Sequence, residues 1–378
     1  VKSISIKPFD TLFFRDGRPF GMGEESFAQF VFPPFPTTFY GALRSKIIAE
    51  NGGYEKFKNG KNPKLTAVAG TPNSKGSLQI IGPLLRKEGD FVLPLPADVF
   101  RGEDGKFKKV PPCGKEILPW KGKEAGKIAY LFLNGEKNAL KADRTSLFKN
   151  SDFKEYLLGK GKFFSAVEKG EIYKAEPKVG IALEMPYKRV RRGYLYRLSM
   201  VRLRGDVDFV VFYQGTNAVA FPERGLLQIG GEGRAAFYRE EEVSPPGLSQ
   251  DEFEDAIKGK KFIKLYLLTP AFIHENGLPY LEKLKILGLK LVGYSVKGLL
   301  WIGGWDMAKG FPKPMRPAWS PGSILLFQFD DGYMGREYGK IYQEVNFKPV
   351  LCKPQGNEQS DDAKEGYGVV LLGVEDAA

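Results

Sequence analysis

Histidine is almost absent from this 378-residue chain: His274 is the only one. Two-histidine acid–base chemistry and polyhistidine metal sites are therefore excluded within it. Cysteine is nearly as scarce. Cys113 and Cys352 lie far apart with no Cys or His beside them, which excludes a disulfide framework and a sequence-local zinc site and fits a reducing cytoplasm. No apolar run approaches the span of a bilayer, and the N-terminus carries no signal-peptide pattern, so no membrane contact is expected and a cytoplasmic location is. Acid is in deficit: 45 Asp and Glu stand against 57 Lys and Arg, a net charge of +12. A field of that sign favours polyanions, nucleic acid first, and says nothing about fold.

What is present reads as a globular α+β protein long enough for two or three domains. Short apolar runs bounded by Gly, Pro or Asp predict strands at Ser3–Lys7, Leu78–Ile81, Phe91–Leu95, Val179–Leu183, Tyr194–Leu203, Val207–Tyr213, Phe262–Leu268, Leu291–Ile302, Ile324–Phe329 and Gly368–Leu372. Arg204-Gly205-Asp206 predicts a hairpin turn between the fifth and sixth of these. The clearest helix follows Pro36, with Thr37 or Thr38 as cap, Phe39, Leu43 and Ile47 on one face, and Asn51-Gly52-Gly53 as its end. Shorter helices are predicted at Asp152–Leu158, capped by Ser151, and Asp251–Lys258, capped by Ser249. This pattern implies mostly antiparallel sheets rather than βαβαβ alternation. Residues 51–77, about 101–127 and 355–366 read as insertions, and Pro245-Pro246-Gly247 suggests a boundary near 250.

Three segments carry candidate chemistry. Between Glu184 and Asp206 there is no acid, while seven Lys or Arg side chains interleave with three tyrosines. Lys188, Arg189, Arg191, Arg192, Tyr194, Tyr196 and Arg197 form its centre. Guanidinium forks match phosphate oxygens and flat rings stack unpaired bases, so the mixture suits single-stranded RNA; a solvated hairpin edge is the plainer reading. The second segment is the loop Gly230-Gly231-Glu232-Gly233-Arg234, where glycines let a backbone approach a phosphate and Arg234 adds charge. Its likeness to a dinucleotide fingerprint is weak, because the charged run and two prolines beyond it leave no room for a helix. A nucleotide-binding oxidoreductase would need that helix and a parallel sheet. The third is the start of the helix after Pro36, where free N–H groups, two hydroxyls and Arg44 can seat a phosphate. His274, Asp10, Asp16 and Asp330-Asp331 show no catalytic or metal-ligand spacing and read as loop and turn residues. No cofactor is expected.

The string Lys7-Pro8-Phe9-Asp10-Thr11-Leu12-Phe13-Phe14-Arg15-Asp16-Gly17-Arg18-Pro19-Phe20 is unusual. Together with the Phe-Pro-Pro…Thr-Phe-Tyr-Gly-Ala-Leu-Arg-Ser helix start, it resembles the RAMP superfamily of type III-B (Cmr) CRISPR complexes. Gly230–Arg234, Gly304-Trp305-Asp306, Lys313-Pro314, Pro321-Gly322-Ser323 and Gly366-Tyr367-Gly368 extend the resemblance in order from residue 4 to about 373. It implies two ferredoxin-like (RRM-like) modules with large loop insertions, here 1–250, with insertions at about 51–77 and 101–165 and a basic hairpin at 187–214, and 251–378. It also implies a non-catalytic role in antiviral defence within a hetero-oligomer. The chain would hold the crRNA 5′ handle and dock on the large polymerase-like subunit and a neighbouring backbone RAMP subunit. Thr37, Thr38, Gly41 and Arg44 carry over as phosphate contacts, and Gly230, Gly231, Gly233 and Arg234 as the glycine-rich loop. Arg15, Arg18 and Lys313, from the shared strings, and Arg316 close by complete the candidate RNA contacts. The rival within the superfamily is an endoribonuclease that cuts the crRNA precursor, for which His274 is the residue to watch. The apolar strings Phe27–Phe35 and Leu299–Trp305 read as core, or in part as subunit interface.

Overall fold

The alternation around Ile4 and Ile6 is realised as a strand, Lys2–Pro8, with both isoleucines fully buried. The computed structural model describes residues 1–15, 27–28, 30–102, 105–114, 130–131, 141–142, 146–161, 163–307, 310–329, 337–356 and 359–376. They divide into two compact units. The first contains Val1–Glu88, Gly170–Glu242 and Trp301–Arg316; the second contains Gly89–Lys169, Val243–Leu300 and Pro317–Ala378.

In the first unit Lys2–Pro8 is a central strand. It pairs antiparallel with Val207–Gln214 on one side (Ile4 opposite Val211) and with Ala235–Glu241 on the other (Ile4 opposite Glu240). Gln79–Lys87 lies beyond Val207–Gln214, and Arg224–Gln228 beyond Ala235–Glu241, again antiparallel. This is the strand order of a ferredoxin-like βαββαβ module, with one helix slot changed: residues 215–234 hold a loop and an edge strand instead of a second helix.

The helix expected after Pro36 runs Pro36–Glu50 and buries Phe39, Leu43 and Ile47. Phe39 packs against Phe209 at 5.1 Å between ring centroids, and burying such a ring contributes about 1.5–3 kcal/mol. Thr37 and Thr38 are not its cap. Phe35, already extended at φ −72° and ψ 147°, precedes a proline preset for the first helical position, so the helix begins before either threonine. Beyond it, part of the expected insertion at 51–77 is ordered as helices Gly53–Lys58 and Pro63–Ala69.

A ribbon of two long strands, with the short strand Phe27–Ala28 parallel to it at Arg197–Leu198, forms a separate three-stranded sheet. Tyr173–Glu184 pairs with Arg189–Leu203 from Tyr173↔Leu203 to Glu184↔Arg189, with a bulge near Ala182. The expected hairpin of Tyr194–Leu203 with Val207–Tyr213 does not form. Val207–Tyr213 is buried at almost every position, which suits a strand held inside the main sheet, whereas Arg189–Leu203 finds its partner in the strand that precedes it.

The second unit completes a full ferredoxin-like order, Val370–Glu375, Phe262–Leu267, Ile324–Phe329, Leu289–Ser295, all antiparallel. Glu282–Ile286 and Tyr338–Val345 occupy its two helix slots. The expected strand Leu291–Ile302 is two strands, Leu289–Ser295 and Leu299–Asp306, parted by residues 296–298 with Gly298 among them. Helix Gln250–Ile257 has the full capping box of Ser249 and Glu252. Helix Asn150–Leu157 follows directly on strand Leu147–Lys149, so Lys149 and not Ser151 is its cap residue.

A connected group of four charges is buried in this unit. Lys264, on the central strand and fully buried, pairs with Glu375 and, at 3.3 Å, with Asp98. Lys109 reaches Glu375 Oε1 at 2.9 Å and donates to the Gly159 carbonyl, and the Tyr156 hydroxyl donates to Asp98 at 2.7 Å. Burial pushes the Asp98 carboxyl up, against the pull of Lys264. Burial would do the same to Glu375, but Lys264 and Lys109 outweigh it and hold that carboxyl below its ordinary range.

Candidate nucleic-acid interface

The short segment after the first strand organises the first unit's polar surface. Leu12 exchanges backbone hydrogen bonds with Val201 (2.7 and 2.8 Å), which ties the segment to the base of the ribbon. On its other side the Gly231 amide donates to the Phe13 carbonyl at 2.8 Å. Leu12, Phe13 and Phe14 are buried, while Asp10 stays exposed. The continuous buried run Thr11–Phe14 thus anchors the segment and leaves Asp10 exposed between ribbon and glycine loop.

The loop itself is a tight turn between Arg224–Gln228 and Ala235–Glu241, closed by Ile229 N–H to the Arg234 carbonyl at 2.8 Å. Gly230, Glu232 and Gly233 all have positive φ, at 71°, 61° and 63°. A Cβ on Gly230 would lie 2.6 Å from the Phe13 carbonyl oxygen, so only glycine fits there. The ring of Phe14 flanks Gly230 and also stacks on Phe39 at 6.2 Å. One aromatic ring therefore sets the glycine loop beside the first turn of helix Pro36–Glu50. A strand follows Arg234, in an antiparallel sheet, which removes the dinucleotide-binding reading.

Charges bridge the same pieces. Arg202 binds Glu176 through Nε at 2.7 Å and through Nη2 at 3.0 Å, and its Nη2 also reaches Asp10 at 2.9 Å. Arg234 Nη1 donates to the other oxygen of Asp10 at 2.9 Å. Lys178, on the ribbon, pairs with Glu232 of the glycine loop at 2.6 Å. The Thr11 amide and then Arg202 hold the Asp10 carboxyl below its usual range, and Arg202 does the same to Glu176. Asp10 reads from sequence as a turn residue, and only the fold shows it as the meeting point of two arginines.

The structure places the expected RNA contacts as follows. Gly41 is exposed with open space around it, and Thr37 and Thr38 are half-buried at the helix start. Arg44 turns away from that start: it donates to the carbonyls of Ala69 (2.7 Å), Thr71 (2.5 Å) and Ser74 (3.3 Å), with its guanidinium 5.2 Å from the Phe57 ring. On the ribbon, Lys188 lies in the turn with φ 51°, and the exposed Arg189 sits 5.7 Å from the ring of Tyr187. Arg197 is exposed, whereas Tyr196 lies over Gly180 and packs with Phe13, Leu198 and Met200. Arg191, Arg192 and Tyr194 fall on the strand Arg189–Leu203, but their side chains, like the whole of Arg18, Asp16 and Asp330-Asp331, lie outside the described residues. Arg15 is exposed and bridges Phe30 through its backbone. Lys313 is half-buried beside Gly304, and Arg316 is exposed on the same strand, Phe311–Trp319.

One apolar surface was not expected, and a second was expected only as the alternative to core. Val179, Ile181, Leu183 and Val190 are exposed on one face of the ribbon, so it is basic and aliphatic at once. Trp301 and Trp305 are more than half exposed, and the string that holds them is not plain core. His274 belongs to the second unit, half-buried with its ring edge-on to Tyr280. Among the described residues no cluster of His, Cys, Asp and Glu could hold a metal ion, and no helix is long and apolar enough to cross a membrane.

Residues 4–375 match the CRISPR-associated protein family Cas_Cmr3. The chain belongs to the Cmr3 family. No curated protein sequence matches it. Among solved structures, a chain of the type III-B Cmr-beta complex bound to cognate target RNA and AMPPnP is similar at 18% identity over 86% of each chain, with a TM-score of 0.51. A Cmr-beta complex bound to cognate target RNA gives 17% and 0.48 over the same shares. A chain of the Csm3–Csm4 subcomplex of a type III-A interference complex gives 12% and 0.37, over 87% of this chain and 94% of that one. At these identities the likeness concerns fold, and the Cmr3 assignment rests on the family match along nearly the whole chain.

Proposed function

We propose that this Cmr3-family chain is a non-catalytic subunit of a type III-B CRISPR effector. In this reading it holds the 5′ handle of the crRNA and docks on the large polymerase-like subunit and a neighbouring backbone RAMP subunit. The observation that supports the reading is the convergence of glycine loop, helix start and basic ribbon on the Phe9–Phe14 segment of a single unit. Guanidinium groups and glycine backbone give phosphate affinity without sequence preference, and the Tyr187 side chain, 74% exposed at the ribbon turn, offers a face for an unstacked base. The exposed indoles of Trp301 and Trp305 support a protein neighbour, since tryptophan is enriched at the centres of subunit interfaces.

The test is to sequence the RNA that co-purifies with the chain from cells carrying its CRISPR array. A population sharing one repeat-derived 5′ end is the expected result. A mixture with no common end would reduce the basic surface to generic RNA attraction.

A further inference from the structure

Two arginines from separate elements converge on one carboxylate beside the glycine loop. Arg202, at the base of the ribbon, donates to Asp10 Oδ1 at 2.9 Å, and Arg234, which closes the glycine loop, donates to Asp10 Oδ2 at 2.9 Å. One guanidinium on each oxygen is also how two arginines share the two non-bridging oxygens of a phosphodiester. The pairs stand open to exchange: the Asp10 side chain is 51% exposed and that of Arg202 45%. Arg234 is deeper, at 24%, and its Nε is buried with no hydrogen-bond partner. A buried donor left open on an arginine calls for an explanation, and a missing ligand is one.

Resting on the RNA-holding reading above, we propose that Asp10 is an internal stand-in for an RNA phosphate. Without RNA it occupies the anion position between Arg202 and Arg234; a backbone phosphate of bound RNA displaces it and takes both guanidinium groups. Arg202 stays oriented through the exchange, because Glu176 holds its Nε at 2.7 Å and also accepts from its Nη2 at 3.0 Å. Glu176 is thus a positioning residue. The Asp10 carboxylate is a specificity device: it neutralises the two arginines toward any passing polyanion, and only RNA that gains further contacts along the ribbon and helix start displaces it. Exposed ion pairs of this kind are weak enough to exchange.

The experiment uses the full chain with Asp10→Asn, which keeps shape and removes charge. Binding is measured for a single-stranded RNA with the repeat-derived 5′ end and for a scrambled RNA of equal length, at several salt concentrations. Asp10→Asn is expected to tighten both by about two- to fivefold, the size of an exposed ion pair. The scrambled RNA should gain more, and the salt dependence should steepen. Unchanged or weaker binding at an unchanged melting temperature overturns the inference. Should the variant fold poorly, the wild-type chain decides: the NMR signal of Arg234 Nε–H is expected to move when RNA is added, and a signal that stays in place overturns the exchange. Wild-type protein that binds neither RNA would remove the RNA-holding reading as well, whereas binding without sensitivity to Asp10 removes this inference alone.

Discussion

At the scale of single residues, the two glycines that look alike in the loop do different jobs. Gly230 and Gly233 both have left-handed backbones, but a Cβ on Gly230 meets a carbonyl oxygen at 2.6 Å, while the nearest atom to one on Gly233 is 3.7 Å away. Gly233→Ala should therefore lose only the conformational preference, about 1 kcal/mol. Gly230→Ala should lose more than about 2 kcal/mol, because the Phe13 backbone has to move as well. Urea unfolding checks this, and equal losses would mean that the loop yields at Phe13. Arg44 gives a second contrast. Its three carbonyl acceptors make it a clasp for residues 69–74, so Arg44→Ala should destabilise by about 1–3 kcal/mol. Arg44→Lys should recover little, since an ammonium lacks the fork. Thermal melting of the two variants separates this clasp from a direct RNA contact, which would alter binding and leave the melting temperature alone.

At the scale of elements, the buried quartet of Asp98, Lys109, Lys264 and Glu375 ties the segment before residue 169 to the second unit's central and last strands. Lys264→Met leaves two carboxylates facing one lysine and should destabilise by about 3–5 kcal/mol. Lys264→Met with Asp98→Asn restores the balance as one pair, Lys109 and Glu375, which meet at 2.9 Å. It should unfold at a higher urea concentration than the single variant, a non-additivity expected of groups in contact. If the double variant is the weaker of the two, charge balance is not what the quartet provides.

Elements also show what the sequence could and could not carry. Pro36, the Phe39–Leu43–Ile47 spacing and the Ser249 cap act within one or two turns, so those two helices were legible. The partner of Arg189–Leu203 was not. Strand pairing is settled by which neighbour is free, and the apolar run of Val207–Gln214 was claimed by the main sheet. Lys264 sits in a run of strand residues whose other members are all apolar, and nothing local marks its partners far away in the chain. Glycine loop and helix start both stand out in the sequence, but their closeness depends on Phe14, and the setting of Asp10 depends on two arginines, one brought in by a strand and one by the glycine loop.

For the whole molecule the charge of +12 is a long-range field, and the ribbon concentrates it. If the ribbon grips phosphates, replacing Arg189, Arg191 and Arg192 together by alanine should weaken RNA retention. It should also flatten the plot of log affinity against log salt by about 2, since each neutralised phosphate of a single strand accounts for roughly 0.7 of the slope. An unchanged slope would take the ribbon out of the site and leave the glycine loop to hold the RNA.

The interleaving of the two units bears on how the chain is made. Lys2–Pro8 waits for Ala235–Glu241 before its sheet can close, Asp98 waits for Lys264, and Lys109 waits for Glu375. Loops of that length close slowly, and a ribosome delivers about 5–20 residues per second. For tens of seconds, then, the emerging polypeptide carries unpaired strands and uncompensated charges with no finished module to shelter them. Synthesis of this protein is the period in which it most needs a chaperone, and a stalled or truncated product is more exposed to aggregation and proteolysis than one from a chain whose modules follow each other end to end.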